Sequence, residues 1–327
     1  RARLVPVSNL PPGQQPDARH PLIVNTGRIR DQWHTMTRTA LAPRLFAHRS
    51  EPFIEVHPKD IATFGLIEGA LATLTGHAQK GFTGRVRASP AQRPGEVFVP
   101  IHWNRQFASS ALASDLIAPV VDPISGQPEA KFGVASLRPL ITRWQARLML
   151  PAAGGTALDA RSLDYWSHQA LPHSRSWWLA GRRSMEWREW AQQIFAREPE
   201  LVMQDSARRR FRAAWLTGNR LDGVLLVEPC VQTMPDLGWL DDCFGSENLT
   251  PEQRRSLLAA GSIDAEPTGP LVCSCFQVGE RQINQAIEDG AASVEALGQR
   301  LQCGSNCGSC IPEIRGLLAK SADREPA

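Results

Sequence analysis

Lysine is scarce in this chain of 327 residues, and nearly all of its basic side chains are Arg. The 36 Lys and Arg against 33 Asp and Glu leave a net charge of only +3. So small an excess gives no electrostatic footprint for nucleic acid. No apolar run approaches the ~20 residues of a membrane-spanning helix, so no membrane partner is expected. There is no internal repeat and no low-complexity tract. Cysteine is absent from the first 229 residues. A disulfide framework would spread cysteines through a small secreted fold, and this chain does not. There is no initiator Met. Arg1 to Pro21 is rich in Pro and polar residues and reads as a linker, so we expect the chain to be a portion of something longer. A missing signal peptide therefore excludes nothing.

What is present suggests two or three domains. From Pro21 to about Pro139 the pattern is strand-rich. Leu22-Ile23-Val24, Phe53 to Val56, Ala70 to Leu74, Gly84 to Ala88 and Glu96 to Pro100 read as short strands separated by turns, which suggests a barrel. His57-Pro58-Lys59-Asp60 opens a short helix that Gly65 stops. From Arg143 to about Pro270 the chain carries most of its tryptophans. Met185 to Phe195 reads as a helix. Phe211 to Leu216 and Val224 to Val227 read as a hairpin turning at Thr217-Gly218-Asn219-Arg220. Pro251 to Ala260 reads as a helix stopped by Gly261. In the tail, Glu280 to Asp289, a helix capped by Ser293, and Pro312 to Lys320 are expected helices.

Five of the seven cysteines lie in the last sixth of the chain: Cys273, Cys275, Cys303, Cys307 and Cys310. Cys230 and Cys243 are isolated and read as buried apolar residues. Tight pairs flanking a helical stretch fit a metal site. Iron–sulfur clusters are held by thiolates, commonly four for [2Fe–2S], and each closely spaced pair can clamp one iron. Neighbouring glycines let backbone N–H groups approach the sulfurs. Helix starts just after Cys275 and Cys310 would add favourable dipole ends. A structural zinc site also uses four cysteines, although this spacing fits a zinc ribbon less well.

The arrangement, C-x-C then 31 residues then C-x-x-C, resembles bacterioferritin-associated ferredoxin and the similar domain of nitrite and nitrate reductases. The resemblance runs from about Leu271 to Lys320. It implies a small helical [2Fe–2S] domain with Cys273, Cys275, Cys307 and Cys310 as ligands. Cys303 falls at a position that is not a ligand in that pattern.

A second informative stretch runs from Asn25 to Arg38. Between Thr26 and Arg49 there are five arginines (Arg28, Arg30, Arg38, Arg44 and Arg49) against one acid, Asp31. Hydroxyls at Thr26, Thr35, Thr37 and Thr39 add donors, and Gly27 permits close backbone approach. Such a cluster suits a phosphate-rich ligand, or simply a solvated basic face. "NTGR…WHT", "FIEVHPKDIATFGLIEGALATLTG" and "GEVFVPIHW" resemble the C-terminal domain of the dimethyl-sulfoxide-reductase family. That resemblance covers about Leu22 to Leu140. It implies a double-psi β-barrel and a molybdopterin guanine dinucleotide pair held by Thr26, Gly27, Arg28, Ile29, Arg30, Trp33, His34 and Thr35. Asp122 to Lys131 matches the motif ahead of the family's last strand, and Lys131 falls on its cofactor-contacting lysine. Ser114 stands where the family usually has Asn. His102, Trp103 and Asn104 lie near its cofactor and substrate funnel.

The order of barrel, spacer and [2Fe–2S] domain is similar to that of the bacterial assimilatory nitrate reductase catalytic subunit. The expected fold class is mixed: a barrel over 22–142 after the 1–21 linker, an α+β spacer with a hairpin over 143–269, the [2Fe–2S] domain over 270–321 and a tail over 322–327. The resemblance implies nitrate reduction at a Mo-bis(molybdopterin guanine dinucleotide) site, with a [4Fe–4S] cluster in a preceding part of the subunit. A flavoprotein reductase or ferredoxin would be the electron donor, and the location cytoplasmic. The molybdenum-ligating residue is expected outside this chain. Three rivals remain: a formate dehydrogenase of the same family, a non-catalytic [2Fe–2S] electron-transfer module, and a zinc-stabilised interaction protein.

Overall fold

The computed structural model describes residues 3, 4, 6, 11–153, 158, 163–235, 238–259, 261 and 268–322. In chain order its first part runs β1 (Leu22–Gly27), α1 (Pro43–Phe46), β2 (Phe53–Val56), α2 (Pro58–Thr63), β3 (Leu71–Gly76), β4 (Gly81–Ala88), β5 (Glu96–Pro100) and β6 (Gly133–Pro139). Next come β7 (Trp144–Pro151), β8 (Tyr165–Ala170), β9 (Ser174–Gly181), α3 (Trp187–Phe195), β10 (Leu201–Asp205), β11 (Arg210–Thr217) and β12 (Arg220–Glu228). The last part has α4 (Gly238–Gly245), α5 (Pro251–Ala259), β13 (Leu271–Cys273), β14 (Val278–Gly279), α6 (Glu280–Glu288), α7 (Val294–Leu301) and α8 (Ile311–Ala322). Contacts group the chain into two compact units: residues 1–27, 52–103 and 110–140 form one, and residues 28–51, 104–109 and 141–327 the other.

The first unit is a closed barrel in the order β1-β5-β2-β4-β3-β6. β1 pairs parallel with β5, and β2 with β4, while the remaining neighbours are antiparallel. Alternation puts Leu22, Val24, Leu74, Val97 and Val99 inside, each at most 1% exposed. β4 passes so close to β2 that a Cβ on Gly84 would sit 3.0 Å from Phe53 Cα, which explains glycine there. α2 starts as expected: His57 Nδ1 accepts from Lys59 N at 3.1 Å, and Gly65 ends it in the left-handed region at φ +61°.

The second unit is built on a six-stranded antiparallel sheet ordered β10-β11-β12-β7-β9-β8. Both faces are covered. Trp144, Ala146, Leu148 and Leu150 of β7 face α3 together with Trp215 and Val227. Met149 points the other way and meets Ala214, Leu226, Leu240 of α4 and Leu257 of α5. Strands buried on both sides read as continuous apolar runs, as β11 and β12 do. The expected hairpin is present with Gly218 at φ +62°, but four further strands, β7 to β10, accompany it. Residues 104–109 line the sheet's edge, where Ser109 N donates to Trp166 O and His168 N to Phe107 O, both at 2.9 Å.

Residues 271–322 form the β13–β14 hairpin and α6 to α8 around Val272, Ile283, Leu297, Cys303 and Ile314. No helix starts just after Cys275. Gln277 enters the left-handed region at φ +55°, and the chain pairs back through β14 before α6 begins. α8 does start directly after Cys310. Ala260 and part of the 322–327 tail lie outside the described residues. Among the described residues, no helix is long and apolar enough to cross a membrane.

Candidate cofactor sites

In the first unit, β1 delivers Thr26 and Gly27 to the rim of a pocket of about 530 Å³, lined also by Asn25, Phe98 and Lys131. Thr26 Oγ1 donates to the carbonyl of Ala130 at 2.5 Å, and the Lys131 ammonium donates to the Thr26 carbonyl. A Cβ on Gly27 would meet the Phe98 ring at 2.6 Å. Lys131 follows a loop organised by Asp122, whose Oδ1 accepts from Ile124 N at 3.0 Å and Ser125 N at 2.7 Å. Those bonds to Ser125 and Ile124 hold the Asp122 carboxyl below its ordinary value. The pocket thus gathers one cation, one hydroxyl, the backbone of a glycine and the carboxylate of Glu96, a set of polar groups of both signs. His102 is fully buried, and Ser114 is exposed in a short 3-10 helix, Ala113–Leu116. Neither lines this pocket.

The second unit holds the rest of the arginine-rich segment. Arg28, His34 and Thr35 are exposed, and Trp33 is 50% exposed. The Arg28 guanidinium lies 5.7 Å from the Trp33 ring centre, and His34 meets that ring edge-on at 4.9 Å. Asp31, His34 and Met36 all have positive φ, at +68°, +43° and +63°. Three such turns within six residues fold the segment tightly and present an aromatic face beside a cation, a combination that stacks planar ligands. Ile29 is half-buried.

Arg30, expected to contact phosphate, meets protein groups. Its guanidinium bonds Asp31 Oδ2 at 2.9 Å, Glu313 Oε2 at 3.0 Å and the Val272 carbonyl at 2.5 Å. The sequence singled out neither Glu313 nor His48, which packs beside it. Burial raises the Glu313 carboxyl, but the nearby His48 ring and the bonds from Arg30 outweigh it and hold the group at about 2. A run of arginines with a single acid shows no sign of which arginine is spoken for by a residue 283 positions away.

The cysteines pair across their loops. Cys275 Sγ lies 3.3 Å from Cys307 Sγ, and the free thiol of Cys310 lies beside that of Cys273. Spacing alone suggested that each loop would clamp one iron. Instead the β13–β14 turn presents Cys273 and Cys275 to opposite partners. Cys307 is exposed, and the Ser309 hydroxyl at 3.1 Å and amide hold its thiol below the ordinary value, toward the ligating thiolate. Burial, with Cys273 alongside, pushes Cys310 up to about 12. Cys303 is fully buried, with Sγ 3.7 Å from the Leu297 carbonyl, and burial raises its thiol. Cys243 is buried as expected and pushed up to about 11 by burial, whereas Cys230 is only half-buried, beside Thr233.

Two pairs of thiols suit a group with two metal ions. A tetrahedral zinc site would bring all four sulfurs within about 3.8 Å of one another. Among the described residues, no three cysteine sulfurs lie within 4.8 Å of each other; the group that does meet this distance is Asp17, His20 and His77. The donor set therefore fits [2Fe–2S] better than one zinc.

Comparison with known proteins finds a domain family for each of the two segments. Residues 22–133 match the molydopterin dinucleotide binding domain, and residues 271–320 the BFD-like [2Fe-2S] binding domain. A nitrate reductase of Klebsiella oxytoca is 39% identical over 98% of this chain and 36% of its own length. The assimilatory nitrate reductase catalytic subunit of Bacillus subtilis is 31% identical over 43% of this chain and 19% of its own. A periplasmic nitrate reductase of Desulfovibrio desulfuricans is 30% identical over 38% of this chain and 16% of its own. The chain spans about a third of the first relative and less than a fifth of the other two. The chain thus joins a molydopterin dinucleotide binding domain to a BFD-like [2Fe-2S] binding domain, and nearly all of it is similar to a nitrate reductase.

Proposed function

We propose that this chain is the C-terminal portion of a molybdenum-dependent nitrate reductase catalytic subunit of the cytoplasmic, assimilatory type. The observation that carries the reading is the set of four paired thiols in a domain that follows a dinucleotide-binding barrel on one chain. We read the barrel as the double-psi type, because two parallel pairs are set into an otherwise antiparallel closed sheet. Thr26, Gly27 and Lys131, with Arg28, Ile29, Trp33, His34 and Thr35, would hold a Mo-bis(molybdopterin guanine dinucleotide). Lys131 would offset phosphate charge, and Trp33 would give the planar ring system a face. His102 and Ser114 stay in the proposed contact set by resemblance alone, and Arg30 is engaged elsewhere.

When bound, the molybdenum group supplies two-electron oxygen-atom transfer, so that nitrate, two electrons and two protons give nitrite and water. The cysteine domain would receive electrons one at a time from a flavoprotein reductase or ferredoxin. Its exposed Cys307 marks the side open to a donor. The whole subunit would also carry a [4Fe–4S] cluster. The test is UV–visible and low-temperature EPR spectroscopy of anaerobically purified chain, with iron and zinc assayed together. About two irons and a reduced S = 1/2 signal are expected. A colourless protein with one zinc would overturn the electron-entry role.

A further inference from the structure

Both cysteine motifs carry a serine between their ligands: Ser274 in Cys273-Ser274-Cys275, and Ser309 in Cys307-Gly308-Ser309-Cys310. The two hydroxyls converge on one carboxylate. Ser274 Oγ donates to Asp31 Oδ2 at 2.7 Å, and Ser309 Oγ reaches Asp31 Oδ1 at 3.4 Å. The Asp31 side chain is only 7% exposed, and its left-handed backbone at φ +68° turns it toward the loops. Arg30 next to it holds the carbonyl of Val272, the residue before the first ligand, and pairs with Glu313 three residues past the last. His48 fills the remaining side, 3.4 Å from Asp31 and 3.8 Å from Glu313. Arg30, Asp31 and His48 lie far from the cysteines in sequence, inside the stretch matched to the dinucleotide binding domain.

We propose that Arg30 and Asp31 are positioning residues of the cysteine site: Asp31 fixes the two ligand loops against each other, and the two charges together set how readily a cluster there takes its electron. This rests on the reading that the four cysteines hold [2Fe–2S]. Reduction adds one electron to the cluster. A buried carboxylate beside it disfavours the extra negative charge, and a part-buried guanidinium favours it. Asp31 acts a second way. The Ser309 hydroxyl has one proton and two acceptors within reach, Asp31 and the Cys307 sulfur at 3.1 Å. Asp31, at 3.4 Å, competes with the sulfur for that proton, and the share it draws is lost to the sulfur. Hydrogen bonds to cluster sulfurs raise the potential, so both effects of Asp31 lower it.

The experiment is a dithionite titration of the full chain followed by EPR, comparing wild type, Asp31→Asn and Arg30→Gln. Asn tolerates the left-handed backbone that Asp31 adopts. The proposal requires opposite outcomes with iron retained: a higher midpoint potential in D31N and a lower one in R30Q. Shifts of the same sign, or none, overturn it, because merely loosened loops would move both variants alike. If either variant loses iron, Ser274→Ala decides. It keeps both charges and removes one hold of Asp31, so an altered midpoint supports the proposal and an unaltered one overturns it. A wild type that carries zinc and no iron overturns the cluster reading itself, and the proposal with it.

Discussion

His168 is walled in by aromatic rings. Trp166 stacks on it at 6.2 Å and 15°, and Phe107 and Trp177 flank it at 5.4 and 5.7 Å. Burial holds its pKa below the ordinary 6.5, against a smaller opposing effect of the Gln106 carbonyl. The folded state therefore binds this proton later than the unfolded chain does. Stability from His168 is complete above about pH 6.5 and is lost as the pH falls through that value. The melting temperature should drop from about pH 7 to pH 5, and less steeply in His168→Gln. An identical slope in the two proteins would show that His168 takes up its proton as readily folded as unfolded. Among the cysteines, Cys303→Ala should keep its iron and Cys310→Ala should lose it, as read by an iron assay. The two close cysteine pairs are visible in the sequence because each is short-range. The engagement of Arg30 is not, since its partners Val272 and Glu313 become neighbours only through folding.

At the scale of elements, α7 offers a clean test of local stability. Ser293 Oγ accepts from Ala296 N at 3.1 Å, satisfying one of the free amides of the first turn. Ser293→Ala should cost about 1 kcal/mol, measured by denaturant unfolding. Gly279, which opens α6, has less room: a Cβ there would lie 2.1 Å from the Thr268 carbonyl oxygen. Gly279→Ala should therefore cost about 1–3 kcal/mol through overpacking, and more than the serine change. The helices of the tail were readable because caps and glycine stops punctuate them. The strands β7 to β10 were not. Their patterns mix Trp, Arg and Ser, and β9 buries Ser174 and Ser176 completely, the first bonded to Asp241 at 2.6 Å. Polar residues paired inside a sheet look in sequence like residues facing water. The barrel was more legible, because its short apolar strands are set off from one another by turn residues.

For the whole molecule, every one of the ten tryptophans except Trp103 falls in the second unit, together with the cysteine domain. Urea unfolding followed by tryptophan fluorescence should therefore coincide with loss of the visible cluster band. Bleaching at clearly lower urea would show that the cysteine domain opens separately from the sheet. The division of the chain has a further consequence. It passes from one unit to the other five times, after residues 27, 51, 103, 109 and 140. Each piece that leaves the first unit supplies something to the second: 28–51 brings Arg30, Asp31 and His48, and 104–109 brings a sheet edge. Gene shuffling usually moves domains as contiguous blocks. A recombination that grafted only the cysteine-rich tail onto another barrel would leave behind the three side chains packed against it. A lineage that exchanged this tail by itself would lose Arg30, Asp31 and His48 from around its cysteine loops and would need a new strap for them.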